Sequence, residues 1–313
     1  MERLELAGLG TEMRNPNTMD LDEMTPMEIV AVMNREDGRV VQAVREVLPQ
    51  VAEIVAWATD SLRRGGRVIY IGAGTSGRLG VLDAVECPPT FGVTDQEVIG
   101  LMAGGQRAFV KAIEGAEDDE ELGGRDLEQA GLTERDTVVG LTASGRTPYV
   151  IGALRRANRE GCHTAAISCN RGAEVSGLAG IAVEVNTGPE VLSGSTRLKA
   201  GTAEKMILNM ISTASMVGVG KVYQNLMIDV RQTNQKLVCR AQNIVMQAVG
   251  CTREEAAQAL RETGGEAKTA VVKLLLDVDA ESAQELLERS GGKVRQALAA
   301  YRCGKEAQAF FAK

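Results

Sequence analysis

Gly72-Ala-Gly-Thr-Ser-Gly-Arg-Leu-Gly80 and Thr142-Ala-Ser-Gly-Arg-Thr-Pro148 are the stretches whose reading decides the fold. Each follows a short β-branched run, Val68–Gly72 and Thr137–Thr142, and each leads into a helical pattern. Both therefore read as strand-to-helix turns, and both carry Ser-Gly-Arg. Further β-branched runs at Glu97–Met102, Thr164–Ser168 and Ile181–Asn186 extend the alternation. Strands apolar on both sides are buried on both faces, which predicts a doubly wound, mainly parallel five-stranded α/β sheet with helices on each side.

Outward from the sheet, the pattern turns helical at both ends. Thr25-Pro-Met-Glu28 fits a helix start, with Thr as N-cap, Pro at the first helical position and Glu three residues on. A second apolar-periodic stretch is expected from Gly38 to Arg64, kinked or split at Pro49. A long apolar helix is expected from Thr196 to Tyr223. Beyond Gly250 the chain is rich in Ala, Leu and Glu, with helix starts at Thr252 and Asp279 and glycine pairs at 264–265 and 291–292. Residues 251–313 hold ten basic and ten acidic residues, so this is a small three-helix domain rather than a charged arm. The expected division is a helical segment over 1–55, a sheet domain with the long helix over 56–245, and a helical domain over 250–313.

Composition removes whole classes of function. The 313 residues carry a net charge of −7 with no basic run, which argues against nucleic acid. No apolar run approaches the roughly 20 residues of a membrane span. The opening Met1-Glu-Arg-Leu-Glu-Leu lacks an apolar signal core, so a cytoplasmic location is expected. Six scattered cysteines without a CxxC pair fit reduced thiols rather than a disulfide frame or a zinc site. The single histidine, His163, excludes a His-rich metal cluster and is read as a structural residue at a strand start. Acid–base work then falls to carboxylates or lysine.

The glycine turns point to an anion. Glycine lets backbone amides approach a ligand, Ser and Thr add hydroxyls, Arg adds a charged donor, and a helix N-terminus favours negative charge. Gly72, Gly74 and Gly77 satisfy GxGxxG, but strand two ends Leu101-Met-Ala-Gly-Gly without the acid that holds a ribose. Arg78 and Leu79 replace the Lys and Ser/Thr of a P-loop, so an NTPase is disfavoured too. Two copies in matching places favour a sugar-phosphate or other anion site over plain helix caps. Ser193-Gly-Ser-Thr-Arg-Leu-Lys199, opening the long helix, is expected to form a second wall. Among the carboxylates, Glu86 sits late in a helix ahead of a Pro-Pro stop, a poor place for a negative charge. The acidic run Glu114–Glu121 contains candidates, but spacing alone selects none of them.

Taken together these residues resemble the N-acetylmuramic acid 6-phosphate etherases of the sugar isomerase (SIS) domain superfamily. The resemblance runs from Thr11-Glu-Met-Arg-Asn-Pro-Asn-Thr-Met-Asp20 through the C-terminal helices. Its most specific stretches are Ile71–Gly80, Glu86-Cys-Pro-Pro-Thr90, Glu114-Gly-Ala-Glu-Asp118, Thr142–Tyr149 and Gly194-Ser-Thr-Arg-Leu-Lys-Ala-Gly-Thr-Ala203. Arg171 departs from it, standing where the family commonly has Pro. The resemblance implies a flavodoxin-like SIS sheet, a small UBA-like C-terminal domain, a homodimer, and a lyase needing neither cofactor nor metal. Such an enzyme splits the C3 D-lactyl ether to give N-acetylglucosamine 6-phosphate and D-lactate, a step of cell-wall sugar recycling. The family's catalytic pair falls on Glu86, assigned as the acid, and Glu117, assigned as the base. Ser144, Gly145, Arg146 and Thr147 are expected at the phosphate, with Thr75, Ser76 and Ser195 around the sugar. A sugar-phosphate isomerase and a non-catalytic sugar-phosphate sensor on the same fold are the rival readings; a sensor would not need both glutamates.

Overall fold

The computed structural model describes residues 9–311 except 112, 231, 233 and 234, with side chains as far as residue 303. The Met1–Leu6 stretch lies outside the described residues. Two helices come first, α1 (Pro26–Glu46) and α2 (Leu48–Arg63). The alternation follows: β1 (Val68–Gly72), α3 (Gly74–Phe91), β2 (Val98–Met102), α4 (Gly105–Val110), α5 (Glu120–Gln129), β3 (Thr137–Leu141), α6 (Pro148–Glu160), β4 (His163–Ser168) and β5 (Ile181–Glu184). The remainder is helical: α7 (Lys199–Gly218), α8 (Gln235–Val249), α9 (Arg253–Glu262), α10 (Ala267–Leu276), α11 (Ala280–Arg289) and α12 (Val294–Phe311).

All five strands pair parallel, in the order β2-β1-β3-β4-β5. The central strands β1 and β3 are buried at every residue, whereas the edge strands β2 and β5 are only partly covered. Alternate side chains serve opposite faces. Ile69 and Ile71 join the cluster formed with Tyr149, Val150 and Leu154 of α6, while Tyr70 faces Gly80 of α3. The sheet is thus covered by helices on both sides, as the double-sided apolar runs require. His163 opens β4 and stacks on Trp57 of α2, ring centroids 4.5 Å apart, which bears out its structural reading.

Three helix boundaries differ from expectation. Helix α1 runs straight through Gly38, which faces open space, and ends at Glu46; Pro49 then lies in the first turn of α2. Proline lacks an N–H, and the first turn is where that donor has no helical partner anyway, so the chain splits there. The Pro-Pro pair is not a stop: α3 continues past Pro88 and Pro89 to Phe91, and Gly92 closes it by donating its N–H to the Pro88 carbonyl at 3.0 Å. Helix α7 is shorter than expected, beginning at Lys199 and ending at Gly218, with Gly220 at φ +83° beyond it.

By packing, the chain forms two compact units, residues 1–85 with 95–213 and residues 86–94 with 214–313. The second unit is helical and has its own core, in which Ile244 and Val245 of α8 join Ala259 and Leu260 of α9 and Val271 and Val272 of α10. Four helices follow Gly250 among the described residues where three were expected, and α8, placed upstream of that boundary, shares their core. The caps read from sequence are in place: Thr25 and Thr252 form capping boxes with Glu28 and Glu255, and the Asp279 carboxylate accepts from Ser282 N–H.

Candidate functional site

In this strand order the chain moves to opposite sides after β1 and after β3, so the crevice outside their carboxyl ends is the topological switch point. Both glycine turns stand there, and they are built differently. After β1, Gly74 at φ +54° starts α3 at once, so Thr75, Ser76 and Arg78 lie in its first turns. After β3 the helix waits for Pro148, and Ser144, Gly145, Arg146 and Thr147 form an open turn.

That second turn is held by its own hydroxyls. Thr142 Oγ1 lies 2.7 Å from Thr147 Oγ1 and 3.3 Å from Ser144 Oγ. Gly145 N–H donates to Thr142 Oγ1 at 3.2 Å, and Arg146 N–H donates to Ser144 Oγ at 3.3 Å. Gly145 adopts φ +76°, and a Cβ there would stand 2.3 Å from Ala173 Cβ, so glycine is required on both counts. The result is a half-buried array of hydroxyls and amides at the N-terminus of α6 with Arg146 beside it, the donor set that an oxyanion takes.

The first turn contributes less than its sequence promised. Arg78 is not an anion ligand here: its guanidinium donates to the carbonyls of Ala108 (2.7 Å) and Phe109 (3.0 Å) at the end of α4. Ser76 is buried, and its Oγ is hydrogen-bonded to Glu204 Oε1 of α7 at 2.9 Å. The Thr75 methyl stands 3.5 Å from where a Cβ on Gly201 would lie, so this turn abuts the start of α7.

The 188–198 loop and the N-terminal segment enclose the same edge. Asn170, after β4, donates Nδ2–H to Thr11 Oγ1 and to the Ala143 carbonyl, both at 3.0 Å, and accepts from Thr11 N–H. Thr18 donates to the Val191 carbonyl at 2.8 Å and Ser193 to the Met13 carbonyl at 3.2 Å. Glu12 lies against Gly194, next to the half-buried Ser195. Beneath them, Lys199 Nζ donates to Glu36 Oε2 at 2.8 Å with both side chains fully buried, and Asn15 and Asn17 also donate to Glu36. Burial pushes the Glu36 carboxyl up, but the bonds from Lys199, Asn15 and Asn17 outweigh it and hold the group at about 2. Glu190, equally buried, accepts the N–H groups of Lys199 and Ala200 and so caps α7; burial raises its carboxyl.

Sequence reasoning missed Asn170, Glu36 and Glu204. Glu204 had a readable signal: it lies on the buried stripe Ala200, Ala203, Ile207, Leu208, Ile211, where an acid is out of place. Asn170 and Glu36 had none, since their partners stand far away in the chain.

The two predicted catalytic glutamates are both exposed. Glu86 lies on α3 at the first residue of the 86–94 segment, which belongs to the second unit. Glu117 lies in the first unit, in a 3-10 turn (Ala116–Asp118) introduced by Gly115 at φ +78°. Arg171 is exposed as well, and its nearest charge is Glu46 at 4.0 Å. A cavity of about 810 Å³ in the second unit has none of the expected site residues on its walls; there Asp229 pairs with Lys268 (2.7 Å) and Lys221 (3.2 Å). No group of three metal-ligating side chains occurs among the described residues, and no helix there is long and apolar enough to cross a membrane.

A protein of Mycolicibacterium smegmatis named N-acetylmuramic acid 6-phosphate etherase is 57% identical over 297 residues, covering 95% of this chain and all of its own. The chain belongs to the N-acetylmuramic acid 6-phosphate etherase family. An etherase of that name from an Exiguobacterium species is likewise 57% identical, over 93% of this chain and 99% of its own. Residues 49–158 match the model of the glucokinase regulatory protein N-terminal SIS domain. Among solved structures, a phosphoheptose isomerase from Francisella tularensis aligns with a TM-score of 0.49 at 14% identity, over 62% of this chain and all of its own.

Proposed function

We propose that this chain is a carbon–oxygen lyase that splits N-acetylmuramic acid 6-phosphate into N-acetylglucosamine 6-phosphate and D-lactate. The observation that carries the reading is membership of the etherase family at 57% identity across nearly the whole chain. The open turn Ser144–Thr147 at the switch point supports the phosphate end of it.

The chemistry follows from the sugar. Ring opening frees an aldehyde at C1, which acidifies the C2 proton. Glu117 takes that proton, the C3–O bond breaks, and Glu86 protonates the departing lactate oxygen. Water then adds across the unsaturated aldehyde, its oxygen to C3 and a proton to C2. One carboxyl group accepts and one donates, and neither step asks for a histidine. Thr75, Ser76 and Ser195 hold the sugar, and Ser144, Gly145, Arg146 and Thr147 hold the phosphate.

In this proposal the enzyme works in the cytoplasm as a homodimer, in cell-wall sugar recycling, with 56–245 as the sugar-phosphate domain and 250–313 as a helical appendage. The exposed Leu82, Val85, Phe109 and Val110 support a second copy, because large apolar side chains in water are costly. The test is direct. Purified protein mixed with N-acetylmuramic acid 6-phosphate and EDTA is expected to release stoichiometric D-lactate. Binding of sugar phosphates without lactate would overturn the etherase reading.

A further inference from the structure

Glu204 is fully buried on α7, and its two carboxyl oxygens differ sharply. Oε1 is bonded to Ser76 Oγ at 2.9 Å, whereas Oε2 is buried with no hydrogen-bond partner among the described residues. Among the described residues no cation compensates it. From α3 it is faced by Ser76, and from the loop after β4 by Cys169, whose thiol burial and the carboxyls of Glu204 and Glu190 push well up. Both are neutral, and Glu190 beyond them is acidic. On α7 itself Lys199 is committed to Glu36, and Lys205 is exposed. Asp83 stands further along α3, against Asn209 and Ser212.

A bare carboxylate oxygen in such a place is very costly, whereas the carbonyl oxygen of a neutral acid is far less so. The protonation state also sets the direction of the Ser76 bond. A carboxylate can only accept, so it claims the serine hydrogen; a carboxylic acid can donate, and the bond reverses.

We propose that Glu204 is a positioning residue that donates to Ser76 Oγ from beneath the first glycine turn and so leaves the Ser76 hydroxyl free to donate to the bound sugar phosphate. This rests on the reading that Ser76 meets the substrate. Burial raises the Glu204 carboxyl to about 8, so the arrangement holds at neutral pH and fails in alkali. The ionised form turns Ser76 into an acceptor and adds a negative charge near an anionic ligand.

The experiment is calorimetric titration of wild type, Glu204→Gln and Ser76→Ala with N-acetylglucosamine 6-phosphate at pH 7 and pH 9. Wild type is expected to lose up to about tenfold in affinity over that interval, as linkage to one group titrating near 8 requires. Glu204→Gln keeps volume and an N–H donor to Ser76, so it should match wild type at pH 7 and hold that affinity at pH 9. Ser76→Ala should bind several-fold more weakly at both values. An alkaline loss in Glu204→Gln equal to that of wild type, or a flat wild-type profile, would overturn the role of Glu204 alone. Wild-type affinity in Ser76→Ala would overturn the placement of Ser76, and the inference with it.

Discussion

Ser76-Gly-Arg78 and Ser144-Gly-Arg146 share a tripeptide and a place in the topology, yet they do different work. In the first, the helix begins at Gly74 and the tripeptide is wound into it; Arg78 closes the carbonyl end of α4 and Ser76 bonds to Glu204. In the second, Pro148 delays the helix, Gly145 bends back at φ +76°, and the hydroxyls of Thr142, Ser144 and Thr147 hold an open cradle. A few residues decide whether a Ser-Gly-Arg turn is wound into the helix or left open before it. A repeated motif marks one edge of the sheet, but the residues flanking each copy set its conformation.

The largest expected effect lies outside both turns and sets the scale for them. Glu86→Gln and Glu117→Gln should each lower kcat by about 10²–10⁴ with KM nearly unchanged, as loss of an acid–base group does. Steady-state D-lactate release measures this, and no turn variant should approach it in kcat. Next comes the sharpest contrast between the turns. Arg146→Ala should raise KM about 10- to 100-fold, since a charged hydrogen bond is worth roughly 1.5–3 kcal/mol. Arg78→Ala should leave KM within a few-fold and instead lower stability by about 1 kcal/mol, read by denaturant unfolding. Equal KM effects from the two arginines would break the comparison.

Gly145→Ala should cost about 1–3 kcal/mol of stability, because the left-handed backbone and the Ala173 methyl group both oppose a Cβ. At Gly74 the backbone is also left-handed but the space is open, so Gly74→Ala should cost less. The pH dependence comes last, because it is silent at neutral pH and appears only in acid. The Glu36 carboxyl is held at about 2, below its unfolded value, so its contribution is complete above the ordinary glutamate range and is lost as pH falls toward 2. A series of Tm values from pH 6 to pH 2 should fall less steeply in Glu36→Gln, which starts from a lower Tm because Lys199 loses its buried counter-charge.

The sheet was legible because its signals are local. Each strand falls within two residues of its expected bounds, and the boxes at Thr25 and Thr252 follow from residues three apart. What could not be read depends on distant partners. Asn170 meets Thr11 across 159 positions, Lys199 meets Glu36 across 163, and Ser76 meets Glu204 across 128. The same holds for Arg78, whose pattern is that of an anion ligand until α4 is seen folded beneath it. Proline rules failed at Pro88-Pro89 for a different reason: two missing N–H groups weaken a helix without ending it when the turn beyond can close on Gly92. The proposed catalytic pair rests on resemblance alone, since both glutamates are exposed and neither has a structural signal of its own.

Where the solvent oxygen goes tests the central claim most directly. With wild-type enzyme and N-acetylmuramic acid 6-phosphate in water enriched in ¹⁸O, elimination and hydration place the label on the C3 hydroxyl of N-acetylglucosamine 6-phosphate and leave the ether oxygen in D-lactate. Label in the lactate hydroxyl, with none at C3, would mean that the bond to the lactyl carbon is the one broken, and would contradict a mechanism that begins at C2.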